Sequence, residues 1–108
     1  MTTFDNREAA FENKFALDEE LRFKATARRN KLLGLWAAQQ MGKSGHDAEA
    51  YARSVVLADF QEAGDDDVLR KVRGDLESAG VSSVSDIDIR SRMDTLMAQA
   101  VQEIREGR

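Results

Sequence analysis

The chain has 108 residues, enough for a single domain with one modest core, and its formal net charge is −4. It has no proline, few glycines and many strong helix formers, which favours an all-α fold. It also has no cysteine, which excludes a disulfide framework, a zinc–thiolate site and a thiol nucleophile.

The N-terminal segment combines acidic charge with three phenylalanines at helical spacing, Phe4, Phe11 and Phe15. It lacks the basic start and apolar stretch of a secretory signal, and no apolar run in the chain is long enough to span a bilayer. We therefore expect a cytoplasmic protein that does not insert into a membrane. At about 100° per residue, the Phe face is rotated by roughly 60 to 100° from the apolar face that follows it. The spacing predicts either a bent helix or a Phe stripe that faces something outside the core.

Glycines and capping residues divide the chain into four helical segments. The first ends at Gly42, the second covers about 46–62, the third about 66–78, and the fourth runs from Ser85 to about Glu106. These lengths and the short connections between them favour a four-helix bundle.

Three of the helices have recognisable start signals. Ser44 with Asp47 and Ser85 with Asp88 have the spacing of a capping box, and Asp65 is placed to cap the third helix. These residues predict where the second, third and fourth helices begin.

Each segment also has an apolar face at helical spacing, which predicts the core. In chain order these faces are Leu21, Ala25, Leu32, Leu35 and Trp36; Tyr51, Ala52, Val55, Val56 and Phe60; Val68, Leu69, Val72 and Leu76; and Ile89, Met93, Leu96, Met97, Ala100 and Ile104. We expect a monomeric bundle over 20–108, preceded by a mobile, partly helical segment over 1–19.

The charges are unevenly distributed along the chain. Residues 21–46 carry six bases and no acid, between flanks with net charges of −4 and −6. The bases are Arg22, Lys24, Arg28, Arg29, Lys31 and Lys43. Charge runs usually form solvated faces or fold back on neighbouring acids, and we favour that interpretation. The alternative is a small helical nucleic-acid-binding module that uses the basic stretch 22–31.

Several chemical motifs are better explained by structure. His46 is a lone histidine at a helix start, Asp65-Asp66-Asp67 places negative charge at a helix N-terminus, and Gly42-Lys43-Ser44 lacks the rest of a phosphate-binding loop. No nucleophile, base or metal cluster can be assembled. We therefore predict no catalytic residue, no metal, no cofactor and no enzymatic activity.

Several stretches of the sequence nevertheless resemble a known family. The most specific is the block from Ala27 to Ala38, and others are Phe4 to Glu8, Asp18 to Lys24 and Gly64 to Val68. Together they closely resemble the zeta subunit of the α-proteobacterial ATP synthase over nearly the whole chain. That family inhibits ATP hydrolysis by the F1 sector.

The resemblance implies a partner and a site. It implies a four-helix bundle with an inhibitory N-terminal segment that enters the interface between a catalytic α/β pair and the γ shaft and blocks hydrolytic rotation. Such a protein would act at the cytoplasmic side of the inner membrane, bound peripherally through ATP synthase. Carried over position by position, the contact residues are Phe4, Arg7, Glu8, Phe11, Lys14, Phe15 and Leu17.

Overall fold

The computed structural model describes the backbone of residues 3–61 and 64–107, and the side chains of 19–59 and 64–107. The described chain forms four α-helices and no strand. They are α1 (Thr3–Gln40), α2 (Gly45–Gln61), α3 (Asp65–Ser78) and α4 (Asp86–Arg105). The predicted all-α, four-helix architecture is confirmed.

Glycines terminate α1 and α3 as predicted. Gly42 and Gly80 have φ angles of 79° and 80°, in the left-handed region that favours glycine. The next N–H folds back in each case, with Lys43 donating to the Ala38 carbonyl at 2.8 Å and Val81 donating to the Leu76 carbonyl at 2.9 Å. These bonds satisfy carbonyls that the end of a helix otherwise leaves without partners.

The start of α4 is also as predicted, whereas the start of α3 is not. Ser85 and Asp88 form a capping box, in which the Asp88 N–H donates to Ser85 Oγ at 3.1 Å and the Ser85 N–H donates to Asp88 Oδ2 at 3.0 Å. The prediction that Asp65 caps α3 is wrong, because the N-cap residue is Gly64, which has no side chain to cap the helix. Asp65 is the first helical residue, and its carboxylate accepts a hydrogen bond from Arg29.

The core lies between α1 and the other three helices, with α1 contacting all of them. Its buried members are Leu33, Ala37, Val55, Val68, Val72, Leu76, Ile89, Met93 and Leu96. The predicted faces of α3 and α4 supply most of this core, and α2 supplies Val55 and the buried Ala52. The side chain of Phe60, predicted for the α2 face, lies outside the described residues.

The predicted face of α1 is only partly correct. Of its five residues only Ala25 is buried, whereas Leu32 and Trp36 pack against the edge of the core. The buried face instead contains Leu33, Ala37 and Ala38. A face of small residues lets neighbouring helices approach closely, and bulky side chains then border the contact.

Gly34 marks the closest approach. A Cβ atom at this position would lie 2.5 Å from the Ala52 Cα of α2, so the two backbones can meet only because residue 34 has no side chain. α2 and α3 are joined further along by a polar contact, in which Tyr51 Oη donates to Asp75 Oδ2 at 2.9 Å. Burial, followed by the bond to Asp75, raises the pKa of the Tyr51 hydroxyl, so it remains a donor.

Candidate functional site

The predicted contact residues all fall in the N-terminal half of α1: Phe4, Arg7, Glu8, Phe11, Lys14, Phe15 and Leu17. The structure describes the side chains of α1 from Glu19 onwards, so the side chains of these seven residues lie outside the described part of the chain. The structure therefore gives their backbone as part of α1 and leaves their contacts a prediction. The division into 1–19 and 20–108, and the mobility of the first part, also stay predictions.

The described contacts of α1 show where α4 ends beside it. The Arg92 guanidinium lies 5.2 Å from the centre of the Trp36 ring, and Arg28 Nη1 lies 3.4 Å from Glu103 Oε1. From the first contact to the second, the residue number falls in α1 and rises in α4, so the two helices are antiparallel. Because α4 ends at Arg105, it finishes just beyond Arg28 of α1.

α2 and α3 also stop beside this part of α1. Gly34 of α1 meets Ala52 of α2, whereas Arg22 of α1 lines the same notch as Asp59 of α2. α2 therefore also runs antiparallel to α1, and because it ends at Gln61 it finishes beside the stretch 22–29. α3 begins at Asp65, which bonds to Arg29. Within the described chain, no other helix continues beside α1 towards Thr3, about 30 Å further along the helix axis.

The Phe positions share their helical phase with the buried face of α1. Phe11 and Arg29 are 18 positions apart, as are Phe15 and Leu33, and 18 residues make about five helical turns. Arg29 and Leu33 are both buried. The predicted rotation of roughly 60 to 100° refers to the Leu21, Leu32 and Leu35 face, which the structure buries only in part. Along a continuous helix, the Phe stripe prolongs the core stripe past the end of the bundle.

A buried arginine ties α1 to α3 at that end. Arg29 Nη2 donates to Asp65 Oδ1 at 2.8 Å, and Arg29 Nε donates to Asn30 Oδ1 at 2.9 Å. The bond from Arg29 holds the pKa of the Asp65 carboxyl below its usual value, against a smaller opposing effect of burial. The sequence did not predict this contact, because an arginine within a run of basic residues usually lies in solvent.

Asn30 has a further polar atom that no bond satisfies. Its side chain is fully buried, and its Nδ2 has no hydrogen-bond partner. Asn30 also lines a notch of about 290 Å³ between α1 and α2, together with Ala27 and Val56. An unsatisfied buried donor lowers stability, so this position is a weak point of the α1 face.

The basic stretch is largely used within the protein, as favoured from the sequence. Arg29 binds Asp65, Arg28 binds Glu103, and Lys24 Nζ lies 3.3 Å from Glu20 Oε1. Three bases of the run, Arg22, Lys31 and Lys43, form no ion pair among the described residues. Within 22–31, three of the five bases are thus engaged with acids of this chain.

The three aspartates at the start of α3 each meet an arginine. Asp65 binds Arg29 of α1, Asp66 Oδ1 accepts from Arg90 of α4 at 2.7 Å, and Asp67 binds Arg70 within α3. Across the described residues, no group of acids, histidines or cysteines is arranged to hold a metal ion. His46 is exposed in the first turn of α2. None of the described helices is long and apolar enough to cross a membrane.

Comparison with known protein families identifies one family. The sequence profile of the family described as ATPase inhibitor subunit zeta matches residues 1–103. A protein whose structure was determined in solution by NMR is 48% identical, with a TM-score of 0.70, over 82% of this chain and 99% of that chain. No curated protein matches the chain.

Proposed function

The chain belongs to the ATPase inhibitor subunit zeta family, and from this premise we propose that it inhibits ATP hydrolysis by inserting the N-terminal half of α1 into the F1 sector of ATP synthase. The segment enters between a catalytic α/β pair and the γ shaft. There it blocks rotation in the hydrolytic direction. The family description itself supports the coarser statement, an ATPase-inhibiting subunit associated with ATP synthase.

The observation that carries the proposal is the register of α1 in the bundle. Its three neighbours start or finish beside 22–29, yet α1 begins at Thr3. The positions of Phe11 and Phe15 continue the buried stripe of Arg29 and Leu33. An apolar stripe that continues beyond the helices of its own chain needs a partner from outside, and an amphipathic helix seated in a groove is a known recognition mode.

The physics of the segment fits a blocking role. Aromatic side chains bury large apolar areas and dominate interface energetics, whereas exposed charge pairs contribute roughly 0 to 1 kcal/mol. Phe4, Phe11 and Phe15 would therefore anchor the segment. Arg7, Glu8 and Lys14 would orient it, and Leu17, about 200° around the helix from Phe15, would make an apolar contact on another side of the segment.

This function requires no reaction in the chain itself. The protein would act as a regulatory subunit on the cytoplasmic side of the inner membrane, held there through F1. No observation favours the nucleic-acid alternative, because Arg28, Arg29 and Lys24 are engaged with acids of the same chain.

Deletion of residues 2–19 tests the proposal. Adding the truncated protein to F1 from the same organism should leave ATP hydrolysis uninhibited, whereas the full chain should suppress it. The truncated protein should keep its helical circular dichroism and its thermal midpoint within a few degrees, since the described bundle contacts begin beyond the deletion. If the truncated protein inhibits as well as the full chain, the segment has no inhibitory role and the basic stretch 22–31 becomes the next candidate.

A further inference from the structure

Two buried polar side chains lie in α1 where the bundle ends. Arg29 is 2% exposed and Asn30 is 0% exposed, and they are the buried polar residues of the described chain. The other buried positions of α1 carry small or apolar side chains, such as Ala25, Leu33 and Ala37. Removing a guanidinium from water is costly, and an apolar side chain of similar volume often stabilises a core at least as well.

Two hydrogen bonds of defined geometry offset part of the free-energy cost of burying Arg29. Its Nε donates to Asn30 within α1, and its Nη2 donates to Asp65, the first residue of α3. A guanidinium is a rigid planar fork, so two bonds fix both its position and its orientation. Asp65 is 56% exposed, so most of its surface remains hydrated while it holds the buried cation.

At the end of the bundle, the rest of the α1 face discriminates weakly between rotations of the helix. Further along α1, Gly34 fits closely against Ala52 of α2, but Ala25, on the other side of Arg29, ends at Cβ and offers no side-chain ridge that locks one rotation of α1 against its neighbours. The contacts of Arg29, in contrast, depend strongly on the rotation of α1. Turning α1 by one residue, about 100°, would move the guanidinium away from Asp65 and leave a buried charge unpaired.

The rotation of α1 at Arg29 is carried along the helix. The sequence before Gly34 contains no glycine and no proline, the residues that most often bend a helix. Phe11 lies 18 positions before Arg29 and therefore has the same phase after about five turns. A change in the rotation of α1 at Arg29 therefore rotates the position of Phe11 about the helix axis by the same angle.

We propose that Arg29 and Asp65 are a positioning pair, which sets the rotation of α1 on the bundle and thereby the direction in which the Phe stripe meets F1. The inference rests on the function proposed above. The pair contacts no part of F1 and acts through the orientation of the helix.

Two neighbouring aspartates provide the test. Asp65→Ala and Asp66→Ala each remove one acid from the first turn of α3 and one ion pair with an arginine, but only Asp65 is paired with α1. Asp65→Ala should raise the concentration needed for half-inhibition of F1 by at least about fivefold, as the fraction of correctly rotated molecules falls. Asp66→Ala should change it by less than about twofold, because its pair is exposed. Equal potency of the two variants would overturn the proposal.

A double variant separates positioning from stability. Arg29→Met/Asp65→Ala no longer contains an unpaired buried cation, so its thermal midpoint should recover relative to Asp65→Ala. Its inhibition should stay weak, because nothing restores the rotation. If potency recovers together with the midpoint, the pair is only structural and the proposal is wrong.

The rotation can also be measured without F1, which keeps the test valid if the double variant fails to fold. The chain has no cysteine, so Gln102→Cys on α4 accepts a single nitroxide label. In the parent and in Asp66→Ala, the label should broaden α1 amides on one face, at helical periodicity. In Asp65→Ala this pattern should spread around the helix, and an unchanged pattern would overturn the proposal. Failure of the 2–19 deletion test would instead overturn the proposed function and leave this measurement intact.

Discussion

The two halves of α1 have the same helical phase and different surroundings. In the C-terminal half, Leu33 and Ala37 are fully buried by the other helices. In the N-terminal half, Phe11 and Phe15 occupy equivalent positions of the helix, beyond the point where those helices end. An apolar stripe therefore does not by itself indicate a core. An apolar stripe becomes part of a core only where another helix of the chain lies alongside it.

The strongest test of this difference removes side chains from the N-terminal half alone. Phe4→Ala/Phe15→Ala should weaken inhibition of F1 at least about tenfold, since each lost anchor is worth at least about 1 kcal/mol. The thermal midpoint should barely change. As a matched control, Asn6→Ala/Asn13→Ala should change potency by less than about threefold, because both positions lie on the opposite side of the helix from the Phe stripe and neither is a proposed contact residue. Equal effects of the two double variants would contradict the assignment of the anchors to the phenylalanines.

The reverse test damages the bundle half. Gly34→Ala should lower the free energy of unfolding by about 1 to 2 kcal/mol, because the clash with the Ala52 backbone outweighs the gain in helix propensity. Gly74→Ala in α3 is the control, since nothing lies within 4 Å of a Cβ at that position. That variant should gain about 0.5 to 1 kcal/mol. Urea unfolding measures both, and a stabilising Gly34→Ala would rule out the close approach of α1 and α2.

A change of pH probes the junction between the halves. The bond from Arg29 lowers the folded-state pKa of Asp65, so the carboxylate stabilises the fold above its unfolded pKa. That contribution is lost as the pH falls through the lowered folded value. Because the side chain is 56% exposed, we expect less than about 1 kcal/mol, lost below about pH 4. Thermal melting of Asp65→Asn should show a smaller loss in acid than the parent, and parallel curves would contradict this account.

The smallest effect is expected far from the junction. Tyr51→Phe removes the bond to Asp75 Oδ2, but Lys71 still donates to that oxygen at 3.0 Å. We expect a loss of about 0.5 to 1 kcal/mol in urea unfolding and no change in inhibition. Weaker inhibition by this variant would mean that the α2–α3 side of the bundle takes part in the function.

Local signals predicted the ends of the helices well. Gly42, Gly80 and the Ser85–Asp88 capping box act through backbone conformation and bonds a few residues away, which the local sequence determines. The apolar faces of α3 and α4 were also predicted, since each has one stripe of large side chains against polar residues.

The face of α1 was not predictable in the same way. Leu32, Leu35 and Trp36 are more hydrophobic than the small residues, yet Ala37 and Ala38 are fully buried and Gly34 meets the α2 backbone. Burial of Arg29 depends on an acid 36 positions away, and no local pattern in the sequence indicates that pairing. Under the proposed function, the contacts of the N-terminal half are made with another protein, so this chain alone would not determine them.

The arginines around the start of α3 have a consequence for how the sequence can vary. α1, α3 and α4 each supply an arginine to the three acids Asp65, Asp66 and Asp67. Inserting residues between α2 and α3 costs little conformational entropy, because loop closure depends only weakly on length. Sliding the acids by one place along α3 would misalign the two pairs that join α3 to α1 and α4, Arg29–Asp65 and Arg90–Asp66. Relatives of this protein should therefore tolerate insertions before Gly64 far better than insertions between Asp65 and Val68.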